Sequence, residues 1–575
     1  MGCEVVKTNF KKAVVCELKQ ILKNAVNKSD FVGVSSNQIA EWFDSFVIEV
    51  PAEELHGDFA TNIAMVGAKI LKLAPSVIAK KLLDNVSLDG SSFKSFEFVM
   101  PGFINFFLNV DWFYMVLNGV LLKGDGFGKS NLGQGKRVLV EYVSANPTGP
   151  MHVGNARGGA IGDCLAEILS WVGFDVQKEF YLNDAGNQIE KFKKSLSLRY
   201  VNLFDQNKNF KMPEDSYHGD DIIELAREFA KIYGDKFIYC DETTRQNALV
   251  EFALPSNVDA IKSDLKSYRI NYDSWFSEKK LYENGKVLEI VEKLKKLGQT
   301  YMKDGAVWFN FSSCGGEKDE VLVRDNGLPT YFAADVAYHY NKFITRKFDL
   351  ALDVWGADHH GHVARLKGAL KVLGVDITKL KVVLMQLVRL VKNGKTVKLS
   401  KRSGKAITLH FLLDRVGVDA ARFFFNLREA NSHFDFDLDL AVEQSNNNPV
   451  FYVQYAYARI CQLLNKIDSV NFNLDDFLNK KIKLNYEFVQ IERVLIKLLV
   501  EFECKVQEAA NSLNSSLIAK FTLELAAKFH KFYSSVRILG ESNDCGFARI
   551  VLCKALKQVF FNAFSILKIE AKNKL

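Results

Sequence analysis

From about residue 136 to residue 390, short apolar runs alternate with longer segments that have helical apolar spacing. Strands that are separated by helices pair in parallel, because each crossover helix returns the chain to the same end of the sheet. The alternation therefore predicts an α/β fold with a parallel sheet. The runs that predict its strands are residues 138–143, 176–181, 306–311, 350–355 and 381–387.

The two ends of the chain have different patterns. Residues 1–122 predict a small α+β domain, with helices over 10–26, 62–73 and 76–85 and strands over 96–100 and 104–108. Residues 123–135 are rich in glycine and polar side chains, which is typical of a linker. A polar segment at residues 204–220 predicts an insertion, and residues 449–575 carry only helical spacing and predict an all-α helical bundle.

Composition limits the kinds of partner that the chain can have. Its 575 residues carry a net charge of +7 at pH 7, which permits an anionic partner such as nucleic acid without requiring one. The nine cysteines never form a C-x-x-C pair, so a reducing compartment is expected rather than a disulfide framework or a zinc site. No uninterrupted apolar run reaches the roughly eighteen residues that span a bilayer, and the N-terminus lacks a signal-peptide pattern. We therefore expect a soluble, cytoplasmic protein.

A tight turn follows the first predicted strand: Asn146-Pro-Thr-Gly-Pro-Met-His152-Val-Gly-Asn155. A strand, a turn and a helix start in this order leave backbone N–H groups where a phosphate can sit. His152 stands at the helix entrance and can donate to a phosphate oxygen, while Gly154 lets a ligand approach the helix backbone closely. On its own, an H-x-G-N sequence is usually an ordinary turn.

A second stretch, Lys398-Leu-Ser-Lys401-Arg402, comes after the last predicted strand. Taken alone it has the composition of a solvated basic loop. The following Ser403-Gly404 adds flexibility, and mobile ammonium groups suit a transition state in which charge builds up on the β- and γ-phosphates. Together the two stretches indicate a bound triphosphate that is attacked at its α-phosphorus.

Two further stretches carry polar groups that suit a ligand. Three histidines between residues 355 and 362 suggest zinc, but His359 and His360 are adjacent and no Cys or Glu completes a ligand set. Asp358 in the same stretch can accept hydrogen bonds from the ribose hydroxyls of adenosine. Tyr331 and Asp335 lie four residues apart, on one face of a helix. A buried Asp335 is either a structural cap or a ligand for a cation.

In this order, the stretches resemble the motifs of bacterial arginyl-tRNA synthetases, a family of class I aminoacyl-tRNA synthetases. Residues 140–155 look like that family's version of the "HIGH" motif, and residues 398–402 look like its "KMSKS" loop. The resemblance covers nearly the whole chain. Its other blocks are residues 57–62, 180–188, 353–362 and 448–456.

The resemblance implies three domains: an N-terminal tRNA-contacting domain (1–122), a Rossmann-like catalytic domain with insertions (136–430) and a helical anticodon-binding domain (449–575). It implies an arginine–tRNA ligase that activates arginine with ATP to arginyl-adenylate and transfers it to the 3′ end of tRNA(Arg), releasing AMP and pyrophosphate. It also implies that Mg²⁺ accompanies ATP, that no structural metal is bound, that the protein is a monomer, and that activation needs bound tRNA.

The resemblance also assigns roles to residues. A planar guanidinium pairs bidentately with carboxylates, and Asp335, with Tyr331 beside it and Glu141 as a second carboxylate, matches the family's guanidinium pocket. Asn146 matches the residue that holds the α-amino group of the substrate. The implied catalytic residues are His152, Asn155, Lys398, Ser400 and Lys401. The implied ATP-binding residues are Pro147, Thr148, Gly149, Pro150, His152, Gly154, Asn155, Gly356, Asp358, Lys398 and Lys401.

One position departs from the family pattern, because the second histidine of "HIGH" is Asn155 here. Asparagine donates hydrogen bonds but never carries positive charge, so we expect phosphate stabilisation to be weaker by roughly a kcal/mol where a charged histidine normally acts. Two other functions stay open at this point. One is a catalytically inactive tRNA-binding paralogue, and the other is a small-molecule nucleotidyltransferase with a similar turn.

Overall fold

The structure is a computed structural model of the chain. It describes residues 9–29, 31, 34–51, 53–204, 212–316, 318–397, 407–466, 474–479, 484–540 and 543–575. The predicted lysine loop at residues 398–402, with Lys398, Ser400 and Lys401, therefore lies outside the described residues, as does part of the predicted insertion at 204–220.

The strands of the described residues form four sheets. In chain order they are β1 (Ile48–Glu49), β2 (Phe59–Thr61), β3 (Phe93–Val99), β4 (Phe103–Leu108), β5 (Arg137–Glu141), β6 (Asp175–Leu182), β7 (Ser274–Ser277), β8 (Thr300–Lys303), β9 (Ala306–Phe309), β10 (Glu320–Val323), β11 (Leu350–Gly356), β12 (Leu380–Met385), β13 (Val388–Lys392), β14 (Lys395–Thr396) and β15 (Phe434–Asp437).

The α-helices of the described residues lie around these sheets and make up the C-terminal part of the chain. In chain order they are α1 (Phe10–Lys28), α2 (Ser36–Ser45), α3 (Ile63–Leu71), α4 (Pro75–Leu83), α5 (Val110–Lys123), α6 (Val153–Trp171), α7 (Asn187–Phe204), α8 (Asp220–Tyr233), α9 (Glu242–Ser267), α10 (Lys279–Glu283), α11 (Lys286–Lys296), α12 (Tyr331–Tyr340), α13 (His360–Val372), α14 (Leu409–Val416), α15 (Val418–Asn426), α16 (Pro449–Asn465), α17 (Leu474–Leu478), α18 (Gln490–Ser512), α19 (Ser516–Ser535) and α20 (Asn543–Leu567).

A five-stranded sheet in the order β12-β11-β5-β6-β7 forms the centre of the middle region, and all its strand pairs are parallel. The predicted α/β fold is thus confirmed, and β5 is buried because its apolar side chains are covered on both faces. The chain leaves β5 towards β6 on one side and returns to β11 on the other. Ligands bind at such a switch point, outside the carboxyl ends of the strands. The fold therefore predicts a ligand site at the carboxyl ends of β5 and β11.

The prediction of a parallel strand at residues 306–311 is wrong. Residues Ala306–Phe309 form β9, the central strand of a separate antiparallel sheet in the order β10-β9-β8. A short apolar run does not reveal which sheet it joins. The fifth parallel strand is instead β7, whose four residues, Ser-Trp-Phe-Ser, are too few to give a strong pattern.

The N-terminal α+β region is confirmed as an antiparallel sheet in the order β1-β2-β4-β3 with helices against it. The predicted linker at 123–135, however, is not a flexible tether. Phe127 is buried and stacks on Phe502 of α18, and Asn562 of α20 donates to the carbonyl oxygens of Gly124 and Phe127. The glycines of this segment allow close packing against the helical region rather than freedom of movement.

The helical C-terminal region is also confirmed, and it is bonded to the parallel-sheet region. Arg422 of α15 is fully buried and donates to the carbonyl oxygen of Leu567 (2.9 Å) and to Asp163 of α6 (2.7 Å). In the described residues, the segment 544–567 is long and apolar enough to cross a bilayer by length and composition, although charged residues interrupt its apolar run. It lies within α20, and 72% of its most apolar window is buried inside the protein, as in a core helix.

Candidate active site

The turn between β5 and α6 is built around the start of the helix. Just after β5, Val143 and Ser144 both have positive φ (69° and 43°), a strained conformation that clusters at functional sites. His152 is the N-cap of α6: its Nδ1 accepts from the backbone N–H of Gly154 (3.1 Å). In return, the side chain of Asn155 accepts from the backbone N–H of His152 (3.1 Å). The two residues therefore cap the helix reciprocally.

This capping decides what the two side chains present to a ligand. Because Nδ1 of His152 accepts a hydrogen bond, a neutral ring carries its proton on Nε2, which is then a donor. The oxygen of Asn155 is used by the cap, so the group left to face a ligand is its amide NH₂. Asn155 therefore has a structural role of its own, because its side-chain oxygen stabilises the turn by accepting from the backbone N–H of His152. His152 is solvent-exposed at the positive end of a 19-residue helix.

The other residues of the turn differ in burial. Thr148 and Pro147 are buried, and the carbonyl oxygen of Pro147 accepts from the side chain of Asn257 on α9 (2.9 Å). Asn146 and Pro150 are exposed. At Gly149, a side chain would meet a carboxylate oxygen of Asp221, 3.0 Å from the position of its Cβ. Helix α8 therefore covers one side of the turn.

The described residues that flank the predicted lysine loop bond to the same turn. The backbone N–H of Leu409 donates to the carbonyl oxygen of Met151 (2.8 Å), and that of Val153 donates to Ile407 (3.2 Å). Thr408 thus forms a β-bridge with His152. The two stretches that the sequence links to a triphosphate are therefore adjacent at this point, although Lys398, Ser400 and Lys401 themselves are not described.

At the carboxyl end of β11, Gly356 leads into a short turn that contains Asp358. The side chain of Asp358 is 82% exposed. On the following helix, α13, His362 turns back towards α12 and lies beside the ring of Trp355. His359 also lies against Trp355 but is exposed. The rings of His359 and His362 are 6.2 Å apart, centre to centre.

Asp335 and Tyr331 lie one turn apart on α12, as the spacing predicts. The carboxylate of Asp335 keeps 24% of its surface exposed and is held by two histidines. His339 Nδ1 lies 3.0 Å from Oδ1, and His362 Nε2 contacts Oδ2. The hydroxyl of Tyr331 accepts from the backbone N–H of Gln188 at the start of α7 (3.3 Å). Asp335 is therefore a partly open anion with fixed orientation.

A cluster of buried charges lies beneath Asp335. Lys342 Nζ donates to Glu141 Oε2 (2.7 Å) and to Asp353 Oδ1 (2.8 Å), and all three side chains are buried. The other oxygen of Asp353 accepts from His339 Nε2 (2.8 Å). Lys342 reaches this position because residues Asn341–Thr345 form a π-helical turn, a feature frequent at functional sites. We call Glu141, His339, Lys342 and Asp353 the buried charge cluster.

The cluster joins three elements: β5 through Glu141, β11 through Asp353, and α12 with its π turn. Ligand atoms of Glu141, His339 and Asp353 lie within 4.8 Å of one another, a spacing that suits a metal ion. The cation bonded to both carboxylates is the ammonium of Lys342. Glu141 also accepts from the hydroxyl of Ser144 (3.0 Å), so its second oxygen faces the turn.

The pKa values of the cluster and of Asp335 follow from these contacts. Burial alone raises the pKa of Asp335, but His339 and then His362 outweigh it and hold the pKa well below its usual range. Burial and Lys342 lower the pKa of His339, yet Asp335 and Asp353 raise it to about 9. Burial opposes the charges of Lys342, but the two carboxylates still raise its pKa. Asp335 is thus ionised and His339 protonated at neutral pH.

Several site residues were not identified from the sequence. Asp353 interrupts the apolar run Leu-Ala-Leu-Asp-Val-Trp of β11, and a charge inside a buried strand requires a partner. That signal, together with the four-residue spacing of Asp335 and His339, could have predicted part of the cluster.

Glu278 is a second residue that the sequence did not identify. It follows β7 and is buried, and its Oε2 lacks a hydrogen-bond partner among the described residues. Burial, with smaller effects of Asp184 and Asp335, raises its pKa to about 8.

Comparison with protein families gives three matches that cover most of the chain. Residues 16–108 match the family model described as the arginyl tRNA synthetase N-terminal domain. Residues 117–444 match the class I (R) tRNA synthetase catalytic domain, and residues 453–575 match the DALR anticodon-binding domain.

Similar proteins extend over the full length. The chain is 46% identical over 569 residues to an arginine–tRNA ligase of Acetivibrio thermocellus, covering 99% of this chain and 100% of the relative. It is 47% identical to one of Caldanaerobacter subterraneus, covering 97% and 98%. Among solved structures, a Campylobacter jejuni chain described as an arginyl-tRNA synthetase is 33% identical with a TM-score of 0.73, covering 81% of this chain and 100% of that chain. The fold of Thermus thermophilus arginyl-tRNA synthetase matches with a TM-score of 0.70 at 20% identity, covering 98% and 100%.

Proposed function

This chain belongs to the arginyl-tRNA synthetase family, and we propose that it binds arginine at Asp335 and ATP at the turn that ends with His152. It is an ATP-dependent ligase that charges tRNA with arginine. The observation that carries the site assignment is that Asp335, a partly open and ionised carboxylate, lies above the ends of β5 and β11, where parallel sheets bind ligands.

Asp335 suits a guanidinium by its geometry. An ionised carboxylate has two oxygens with about four lone-pair sites. His339 and His362 each use one site, on opposite oxygens. One site on each oxygen remains, which is the arrangement that a bidentate guanidinium requires and that a lysine ammonium cannot use fully. The half-exposed ring of Tyr331, one turn earlier on α12, borders the same space.

Three other groups complete the proposed arginine site. Asn146, exposed on the turn after β5, would hold the α-amino group of arginine. Glu141 would act as the second carboxylate, while Lys342 balances its charge from below. Glu278 is a further candidate, because Oε2 of its buried carboxyl group has no hydrogen-bond partner among the described residues, and a guanidinium beside it would favour its ionised, accepting form. An unpaired polar group in a closed site disfavours the wrong substrate strongly, so selection would not need an editing step.

The ATP end of the proposed site combines donors from two stretches. The backbone N–H groups at the start of α6, His152 Nε2 and the amide of Asn155 would hold phosphate oxygens. Lys398 and Lys401, with Ser400, would stabilise the leaving pyrophosphate, and the bonds of Ile407–Leu409 to the turn support this. Pro147, Thr148, Gly149, Pro150, Gly154, Gly356 and Asp358 would line the nucleotide. The turn offers donors rather than a carboxylate cage, so Mg²⁺ would arrive with ATP.

In this arrangement the substrate carboxylate attacks the α-phosphorus without a side-chain nucleophile. The chain contributes positioning and stabilisation of negative charge as pyrophosphate leaves. The 2′- or 3′-hydroxyl of the terminal tRNA nucleotide would then take the arginyl group and release AMP. Residues 1–122 and 449–575 would contact the tRNA, with residues 136–430 as the catalytic domain.

Two rival functions are less well supported. An inactive paralogue would not need the intact His152 and Asp335. A small-molecule nucleotidyltransferase would not need the anticodon-binding domain that residues 453–575 match.

We further propose that the chain works as a monomer in the cytoplasm. Light scattering of the purified protein tests the monomeric state, and a mass of about twice 65.0 kDa would contradict it.

The variant Asp335→Asn tests the arginine pocket. It removes the negative charge but keeps the shape, so two charge-assisted hydrogen bonds to the guanidinium are lost, at a cost of about 3 kcal/mol. We expect the KM for arginine to rise about 100-fold while the KM for ATP stays within a few-fold. The matched control is Asp325→Asn, an exposed carboxylate in the turn before α12. An unchanged KM for arginine in Asp335→Asn would refute the pocket assignment.

A pair of variants separates the two roles of His152. His152→Asn keeps a good N-cap, so the melting temperature should not change, but it loses the imidazole donor and kcat should fall by about 10²- to 10³-fold. His152→Ala also loses the cap and should in addition lower the free energy of unfolding by about 1 kcal/mol. Steady-state charging assays and thermal melts measure both. A His152→Asn protein with wild-type kcat would mean that His152 is only a structural turn residue.

A further inference from the structure

We propose that His339 is a positioning residue for arginine selection: as an imidazolium anchored by Asp353, it holds Asp335 ionised and turned so that each carboxylate oxygen keeps one lone-pair site for the guanidinium. This inference rests on the arginine pocket proposed above. It concerns a side chain that lies beneath the pocket and is fully buried, so it would not touch the substrate itself.

The hydrogen bonds of His339 require its charged form. Nδ1 lies 2.8 Å from the backbone carbonyl oxygen of Asp335 and 3.0 Å from its Oδ1, and Nε2 lies 2.8 Å from Asp353 Oδ2. All three partners are acceptors. A neutral imidazole has one donor and one acceptor nitrogen, so only the imidazolium donates on both sides. Lys342 Nζ, a donor, lies farther from Nε2, at 3.3 Å, than Asp353 Oδ2 does. The shorter contacts on both nitrogens therefore favour a second buried cation next to Lys342.

The two buried cations share the carboxylate of Asp353. Lys342 Nζ and His339 Nε2 are 3.3 Å apart, and both are donors, so they do not stabilise each other. Asp353 resolves this by accepting from Lys342 with one oxygen and from His339 with the other. The ring of His339 is thereby fixed in its plane, and its far nitrogen is directed at Asp335. Asp353 on β11 thus orients His339, and His339 in turn orients the carboxylate of Asp335.

Without His339, the carboxylate of Asp335 would lose its only buried cationic neighbour among the described residues. Its other contacting partner is His362 on α13. Burial would then raise the pKa of Asp335. Protonation would remove its negative charge and turn one of its two acceptor oxygens into a hydroxyl donor, so a bidentate guanidinium would no longer fit. His339 thus keeps the pocket competent at lower pH.

The test is arginine binding to the full-length protein by titration calorimetry between pH 5.5 and 8.5, comparing wild type with His339→Asn. The matched control is His218→Asn, an exposed histidine in the loop before α8. Wild type and control should bind arginine with nearly constant affinity down to about pH 6. In His339→Asn, affinity should fall as pH decreases, with a midpoint at least about one pH unit higher than in wild type, because Asp335 becomes protonated.

A purely structural role predicts a different outcome, namely the same loss of affinity at every pH, and that result would overturn the proposal. If Asp335→Asn leaves arginine affinity unchanged, the pocket itself is wrong. If Asp335→Asn weakens binding but His339→Asn keeps the wild-type pH profile, only the role of His339 is wrong.

A measurement on wild type keeps the proposal testable if His339→Asn does not fold. Histidine labelled with ¹⁵N in the full chain should show one ring that stays doubly protonated at pH 8, when exposed histidines are neutral. Spectra in which all ten histidines are neutral at pH 8 would overturn the proposal.

Discussion

The bond of Lys342 to Glu141 and Asp353 is the interaction on which the site depends. It joins the last residue of β5 to the middle of the neighbouring parallel strand β11, and these two strands lie on either side of the switch point of the sheet. Two buried carboxylates side by side would repel each other and would take up protons or water. With an ammonium between them they are compatible with burial, and the π turn after α12 exists at the place where this ammonium is needed. Removing one partner would leave an uncompensated buried charge, which is far more costly than the net worth of the cluster.

From this base the two substrate ends are built by different means. The proposed arginine end uses charge: His339 and His362 hold Asp335 while leaving part of it open. The proposed ATP end uses backbone groups at the start of α6, where His152 and Asn155 cap each other. Such bonds among the described groups suit a reaction whose catalysis is positioning and charge stabilisation. The helical C-terminal region is bonded to the same core through Arg422, Asp163 and Leu567.

Much of this could be predicted from sequence because the signals are local or carried by motifs. The strand, turn and helix around His152, the one-turn spacing of Tyr331 and Asp335, and the helical C-terminus were predicted and found. What failed depends on long-range packing. Residues 306–311 have an ordinary strand pattern, and nothing local assigns them to an antiparallel sheet. The glycines at 124–135 predict a flexible linker, yet the neighbouring α18 and α20 make them a packed segment. Lys342 is an ordinary helical lysine in sequence, and only the fold brings it between Glu141 and Asp353.

We propose that an ionised, pre-oriented Asp335 makes this enzyme select a guanidinium. The most direct measurement is the charging of unfractionated tRNA by wild-type protein with arginine, with lysine, and with citrulline, in which a neutral urea group replaces the guanidinium. We expect charging with arginine, and values of kcat/KM for lysine and citrulline that are lower by at least about 1,000-fold. Charging with citrulline within tenfold of arginine would contradict it, because the charge on Asp335 would then have no part in selection.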